Sequence, residues 1–200
     1  IWGGGGGGAG ACCCMMGKPG GSGAYASKTI NTVGGFGSTL AGCQYTICAA
    51  GTTGTSNTND GCVGFTTYVT GYQLSNFCAT GGHSGYADCN RGASYMGYCF
   101  YPYCCCAYGG DICIHGTMSQ FITYTSCYTS FQQYAMLAAK TTSGPQFGPG
   151  GCINAGGCGC TGWVPCSYFP GGGGYSAQTH GGSCWCGMWG AGGLVSITYG

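Results

Sequence analysis

Charged side chains are almost missing from this sequence, and glutamate is absent. The 200 residues include four Lys or Arg and three Asp, so charged residues make up 4% of the chain and the formal net charge is +1. A soluble domain usually carries about 25% charged residues. Because 14% of the residues are aromatic and little charge opposes association, we expect a homo-oligomer with further protein partners.

The few basic residues also restrict the partners of the chain. Lys18, Lys28, Arg91 and Lys140 are scattered along the sequence, whereas a nucleic-acid-binding surface needs clustered positive charge. The sequence therefore argues against nucleic acid as a partner. No run of 18 apolar residues is present to span a membrane.

Large aliphatic side chains are scarce as well. Leu, Ile, Val and Phe together make up 25 of the 200 residues, whereas glycine alone contributes 47. Such a low aliphatic content is typical of disordered chains, but those chains also carry a high net charge, which is missing here. The chain must therefore bury something other than a conventional aliphatic core.

Glycine is concentrated in runs, at residues 3–8, 148–162, 170–174 and 181–193. Glycine runs can extend as polyglycine-II helices, which have three residues per turn and rise by about 3.1 Å per residue. One such helix has no internal hydrogen bonds, but several packed together can pair their backbone amides. The alternative is a flexible linker. Because Cys, Trp and Tyr interrupt these runs, the sequence favours ordered packing.

The segments between the glycine runs indicate a mainly β fold with short strands and long glycine-rich loops. Residues 43–50 and 64–70 alternate and carry β-branched or aromatic side chains, which predicts strands, and 193–200 predicts a terminal strand. Residues 51–62 are dense in turn-forming residues. At most one short helix is expected, at 130–140.

The 20 cysteines leave three interpretations open. Their abundance is typical of a disulfide scaffold in a secreted protein. The adjacent triplets at 12–14 and 104–106 do not suit a single tetrahedral metal site, and the C-x-C pairs at 158–160 and 184–186 lack the spacing of a zinc finger. We expect no metal. Buried free thiols that pack as small apolar side chains are the third interpretation.

Groups that could support catalysis are few: Asp60, Asp88, Asp111, His83, His115 and His180. No pair of these carboxylates has a recognisable glycosidase context. Ser84 lies in the glycine-rich stretch 81–86 and not in a G-x-S-x-G elbow between a strand and a helix. The run at residues 3–8 is not followed by an amphipathic helix, as a dinucleotide-binding site would require. We expect neither an enzyme nor a bound cofactor.

Aromatic side chains are the best candidates for a binding surface, because Tyr and Trp are rigid, amphipathic and able to stack on sugar rings. The main cluster is Tyr95, Tyr98, Phe100, Tyr101 and Tyr103, and a second group is Trp185 and Trp189. The alternative is that these aromatic residues fill the core that the scarce aliphatic residues leave empty.

The order of motifs resembles the glycine-rich domain of bacteriophage tail fibres and related virion appendages. The motifs are WGGGGGGAG, GGSGAYASKTI, CQYTICAAGTTGT, GFTTYVTG, FCATGGHSG and a closing GAGGLVSITYG. Four segments follow the same order as the corresponding motifs of that family, at residues 23–30, 45–51, 65–82 and 190–199. The resemblance implies a virion protein on an extracellular tail or surface appendage, where it acts as an adhesin toward a host-surface glycan or protein. Analogy with phage fibres suggests a trimer.

The resemblance covers both ends of the chain better than its middle. It divides the sequence into a glycine-rich part with β-hairpins at 1–90, an insertion rich in aromatic residues and cysteine at 91–147, and a glycine-rich part that ends in a strand at 148–200. The interruption of glycine runs by Cys and Tyr is similar to glycine-rich structural proteins of marine cyanobacterial viruses. A purely structural subunit, in which Gly, Tyr and Cys serve packing and cross-linking without receptor binding, is the alternative function.

Overall fold

The computed structural model describes residues 1–12, 20–30, 43–52, 60–86, 105–116, 170–174 and 184–198. These residues form eight short strands and no helix: β1 (Ala11–Cys12), β2 (Tyr25–Ser27), β3 (Tyr45–Cys48), β4 (Thr67–Gly71), β5 (Leu74–Ala79), β6 (Ala107–Tyr108), β7 (Ile112–Ile114) and β8 (Cys184–Trp185). Every pairing between them is antiparallel. The mainly β fold is confirmed, and the helix expected at 130–140 lies outside the described residues.

The largest sheet has the strand order β3-β4-β5-β6. It confirms the strands predicted within 43–50 and 64–70. Strands β4 and β5 form a hairpin in which Gly71 pairs with Leu74. The exposed turn between them contains Gln73, whose φ of 57° lies in the left-handed region.

Two further strand pairs are present, β2 with β7 and β1 with β8. The β2-β7 pair contacts the β5 and β6 strands of the large sheet. Strands β6 and β7 fall inside the stretch 91–147, and they pair with β5 and β2 from the first 90 residues. At the other end of the chain, Leu194 makes an isolated antiparallel bridge with Trp2, and no longer strand is formed within 193–198.

The hydrophobic core beside the large sheet is small. Its buried members are Ile1, Ala24, Ala26, Val69, Leu74, Phe77, Ala79 and Ala107. Half of them are alanine, so the side chains of this core contribute little apolar volume. The backbone of the glycine-rich segments supplies the rest of the packed interior.

The glycine run at residues 3–8, here called the central segment, is hydrogen-bonded on all sides. Its six N–H groups donate to backbone carbonyl oxygens over distances of 2.8–3.0 Å. The bonds are Gly3 to Ala24, Gly4 to Phe65, Gly5 to Ala191, Gly6 to Gly21, Gly7 to Cys62 and Gly8 to Met188. The same neighbour returns after every third residue, which is the period of a polyglycine-II helix. The ordered packing that the sequence favours is therefore present.

The carbonyl groups of the central segment bind two further stretches of chain. The N–H groups of Gly82 and Gly85 donate to Gly4 and Gly7, both at 2.8 Å, and that of Gly174 donates to Gly6 at 2.7 Å. The surrounding stretches are 20–24, 61–65, 80–85, 171–174 and 187–192. They also bond to one another, so the backbone itself forms the packed lattice.

A three-residue spacing of glycine explains how the neighbours approach so closely. A Cβ atom on Gly61 or Gly64 would overlap the carbonyl oxygen of Gly7 or Gly4. The same is true of two further pairs with the same spacing: Gly20 and Gly23, and Gly187 and Gly190. Three of the five neighbours therefore present glycine toward the central segment at every third position.

Candidate binding surface

The predicted binding residues differ in how far the structure describes them. Tyr95, Tyr98, Phe100, Tyr101 and Tyr103 lie outside the described residues. Trp185 belongs to β8, where its backbone pairs with Ala11. Trp189 is 61% exposed. Trp189 is thus the member of the predicted set whose surface position the structure describes.

The glycine spacing determines where Trp189 lies. Gly187 and Gly190, on either side of it, pack against the carbonyl oxygens of Gly8 and Gly5. A helix with three residues per turn cannot direct neighbouring positions to the same side. The indole of Trp189 consequently stands on the outside of the lattice.

Phe65 occupies a similar position on a second neighbour of the central segment. It is 59% exposed, and Val63, two residues earlier, is 45% exposed. Gly64 between them packs against Gly4. Sequence reasoning missed Phe65 because it was assigned to a predicted strand. The G-x-x-G spacing at Gly61 and Gly64 was the signal that would have identified it as an outward residue.

The half-buried His83 and the exposed Tyr86 form an aromatic pair. Their ring centroids are 5.0 Å apart, and the Tyr86 hydroxyl lies 3.0 Å from Nε2 of His83. Nδ1 of His83 is 2.7 Å from the carbonyl oxygen of Ser84. Because a carbonyl can only accept, Nδ1 donates this hydrogen bond.

The outer face of the large sheet carries an alternating row of cysteine and tyrosine. Cys48 pairs with Tyr68, Tyr68 pairs with Cys78, and Cys78 pairs with Tyr108. Tyr68 and Tyr108 are 39% and 38% exposed. The hydrogen bond with the Cys48 thiol raises the pKa of Tyr68, so this hydroxyl stays protonated at neutral pH.

Aromatic residues of the described part lie mainly on its surface. None of its tyrosines is buried, and Phe77 is its one aromatic member of the buried core. Tyr45 is half-buried and packs against this core, whereas Tyr68, Tyr72, Tyr86 and Tyr108 are exposed. The buried members of the core are four alanines together with Ile1, Val69, Leu74 and Phe77.

Asp111 and Lys28 form an ion pair. Asp111 receives hydrogen bonds from Nζ of Lys28 at 2.8 Å and from the N–H of Thr29 at 2.7 Å. These bonds hold the pKa of Asp111 below its usual value. Across the described ranges, no group of three or more His, Cys, Asp or Glu side chains is arranged to hold a metal ion.

Comparison with known proteins gives no relative. No protein family, curated protein or solved structure matches the chain. In the part of the chain that the structure describes, no helix is long and apolar enough to cross a membrane.

Proposed function

We propose that this chain is a phage virion structural protein, a subunit of a tail fibre or related appendage that acts as an adhesin in host-surface recognition. The ordered series of motifs supports the placement in a virion appendage. The proposal assigns the protein no catalytic step and no cofactor. Its partners are further copies of the chain, other virion proteins and a glycan or protein of the host envelope.

The proposal rests on the opposite orientations of glycine and tryptophan within one neighbour of the central segment. Gly187 and Gly190 face inward, while Trp189 between them is 61% exposed. Backbone hydrogen bonds hold the scaffold together, so aromatic side chains are not needed to fill its interior. Exposed rigid aromatic rings are suited to stacking on sugars and to protein recognition.

Adsorption of particles that carry variants tests the binding role. We expect Trp189→Ala to lower the adsorption rate, and the joint replacement of Tyr95, Tyr98, Phe100, Tyr101 and Tyr103 by Ala to lower it further. An aromatic hot spot contributes at least about 1.4 kcal/mol, which corresponds to about tenfold in affinity. Ile197→Ala is the matched control, since Ile197 is 56% exposed and aliphatic.

Immunogold electron microscopy of the same particles locates the protein. Gold at tail or fibre tips, together with slower adsorption of the aromatic variants, supports the adhesin. Gold on the capsid or tail shaft, with unchanged adsorption, contradicts it and leaves a purely structural subunit. The row of Cys48, Tyr68, Cys78 and Tyr108 favours that second candidate, because cysteine and tyrosine suit packing and cross-linking between subunits. The two tyrosines of the row are exposed and the two cysteines are half-buried.

A further inference from the structure

The central segment and its neighbour at 187–192 run antiparallel in one continuous register. Three backbone contacts define this register, and every advance of three residues in the first stretch matches a retreat of three in the second. The contacts are Trp2 with Leu194, Gly5 with Ala191 and Gly8 with Met188. The two stretches are therefore aligned residue by residue along the central segment.

Glycine packing prevents this register from slipping. A Cβ atom on Gly187 or Gly190 would overlap the carbonyl oxygen of Gly8 or Gly5. A shift by one residue in either direction would replace both inward glycines with residues that carry a side chain. The lattice has no room for such a side chain there, so the alignment cannot change by one residue.

Two cysteines lie opposite each other where the same register continues into β1 and β8. These strands pair antiparallel, with Ala11 opposite Trp185 and Cys12 opposite Cys184. Directly opposite residues of an antiparallel pair share one face, and their Cα atoms are about 4.5 or 5.5 Å apart. A disulfide needs a Cα separation of about 4.4–6.8 Å. The backbone therefore places Cys12 and Cys184 within the range of a disulfide.

The register also distinguishes this pair from other combinations of neighbouring cysteines. The sequence has CCC at residues 12–14 and CWC at residues 184–186, so spacing alone leaves several pairings open. The alignment that sets Cys12 opposite Cys184 sets Gly10 opposite Cys186. The backbone thus selects Cys184, and not Cys186, as the partner of Cys12.

We propose that Cys12 and Cys184 form a disulfide when the folded protein meets a small-molecule disulfide such as oxidised glutathione. One of the two thiolates attacks a sulfur atom of glutathione disulfide, which forms a mixed disulfide and releases one glutathione thiolate. The other thiolate attacks the protein sulfur of the mixed disulfide and releases the second glutathione. The two thiol protons pass to the glutathione thiolates, so the protein loses two hydrogen atoms and one glutathione disulfide becomes two glutathione molecules.

The disulfide would fasten the central segment to its neighbour at 187–192 and close a loop that contains most of the chain. Cross-linking residues so far apart in sequence restricts the unfolded chain, which stabilises the folded state. The inference rests on the register of the lattice and does not depend on receptor binding.

Peptide mapping of the unmutated protein tests the pair directly. Reduced, folded protein is incubated with oxidised glutathione, blocked with N-ethylmaleimide at mildly acidic pH and digested with pepsin, because thiol exchange is slow when thiols are protonated. The expected product is a peptide containing Cys12 linked to a peptide containing Cys184, lighter by two hydrogen atoms than their sum, and fragmentation locates the bond. Recovery of both cysteines in blocked form, or bonded mainly to other cysteines, would overturn the proposal.

Cys184→Ser and Cys186→Ser are matched variants, because each removes one thiol from the same C-x-C motif. The link to Cys12 should be lost in Cys184→Ser and persist in Cys186→Ser. Oxidation should raise the Tm of the unmutated protein and of Cys186→Ser by more than that of Cys184→Ser. An equal rise in all three, or loss of the link in Cys186→Ser alone, would contradict the assigned pairing.

Discussion

At the scale of the residue, backbone atoms of neighbouring stretches leave no room for a Cβ atom at the inward glycines. A Cβ on Gly6 would overlap the carbonyl oxygen of His83, and one on Gly5 would overlap that of Gly172. Backbone atoms cannot move aside as the end of a flexible side chain can. The lattice therefore excludes every side chain from these positions, in the way that the crowded axis of collagen does.

Gly6→Ala should consequently destabilise the protein by ~2–3 kcal/mol, the upper part of the usual cost of overpacking. The measurement is the free energy of unfolding from denaturant titration. Gly51→Ala is the matched control, because nothing lies within 4 Å of a Cβ at that position. It should be neutral or stabilise by up to about 1 kcal/mol, since alanine restricts the unfolded chain. Equal effects of the two substitutions would contradict the lattice described above.

Thr67 is a residue at which a side chain completes the backbone pairing. It is 0% exposed, and its Oγ1 accepts a hydrogen bond from the N–H of Ala50 at 3.0 Å. Thr67→Val keeps the shape but leaves that N–H without its acceptor, so we expect a loss of about 1–3 kcal/mol in the free energy of unfolding. Thr70→Val, on the exposed side of the same strand, should change it by less than about 0.5 kcal/mol.

At the scale of the element, strands β3 and β4 were predictable because their sequences alternate. In β4 the buried Thr67 and Val69 alternate with exposed residues. Strands β6 and β7 were not predicted, since they have two and three residues and depend on partners distant in sequence. Local alternation cannot reveal such short strands.

The exposed aromatic residues could be predicted in part. Trp189 was selected by residue type, because Trp is typical of recognition surfaces. Phe65 was not, because its outward direction follows from Gly64 facing Gly4, and the strand pattern assigned to residues 64–70 does not predict that direction. A search for glycine at every third position would have exposed that information.

The β2-β7 pair gives an element-scale prediction with a pH dependence. Asp111 is bonded to Lys28 and Thr29, and its pKa is lowered in the folded protein. Its stabilising contribution is therefore present above the usual Asp pKa of about 3.9 and is lost as the pH falls through the lower folded value. The contribution is small, because the two side chains are 30% and 49% exposed.

We expect the Tm of Asp111→Asn to lie below that of the unmutated protein at pH 7 and the two values to converge as the pH falls below 4. Added salt should also reduce the difference at pH 7. Asp60→Asn removes the same charge elsewhere and serves as the control. A difference between Asp111→Asn and the unmutated protein that stays constant from pH 7 to pH 2 would exclude the ionised pair as its cause.

At the scale of the whole molecule, the central segment connects stretches from nearly the entire chain. Gly3 binds Ala24, Gly4 binds Phe65 and Gly5 binds Ala191. Detachment of one neighbour would expose only every third N–H group of the central segment, since consecutive amides bond to different neighbours. All six N–H groups are exposed only when several neighbours separate together. Separation of the central segment therefore amounts to unfolding of the lattice.

Native-state hydrogen exchange should show this cooperativity. The amides of Gly3 to Gly8 should be among the slowest to exchange, with an opening free energy equal to the global free energy of unfolding. The amides of the exposed turn at Tyr72 and Gln73 should exchange faster by orders of magnitude. Fast exchange of every third central amide, such as those of Gly4 and Gly7, would instead indicate that individual neighbours detach independently.

The position of the central segment near the start of this sequence has a consequence for folding kinetics. Its N–H groups at Gly5 and Gly8 donate to Ala191 and Met188, which lie 186 and 180 residues later in the sequence. Contacts between such distant parts of a chain form slowly, because loop closure costs entropy before any bond is gained. During synthesis the glycine run emerges long before these partners, so the lattice can close only after residues 188–191 have left the ribosome. Closure of the lattice should accordingly be slow.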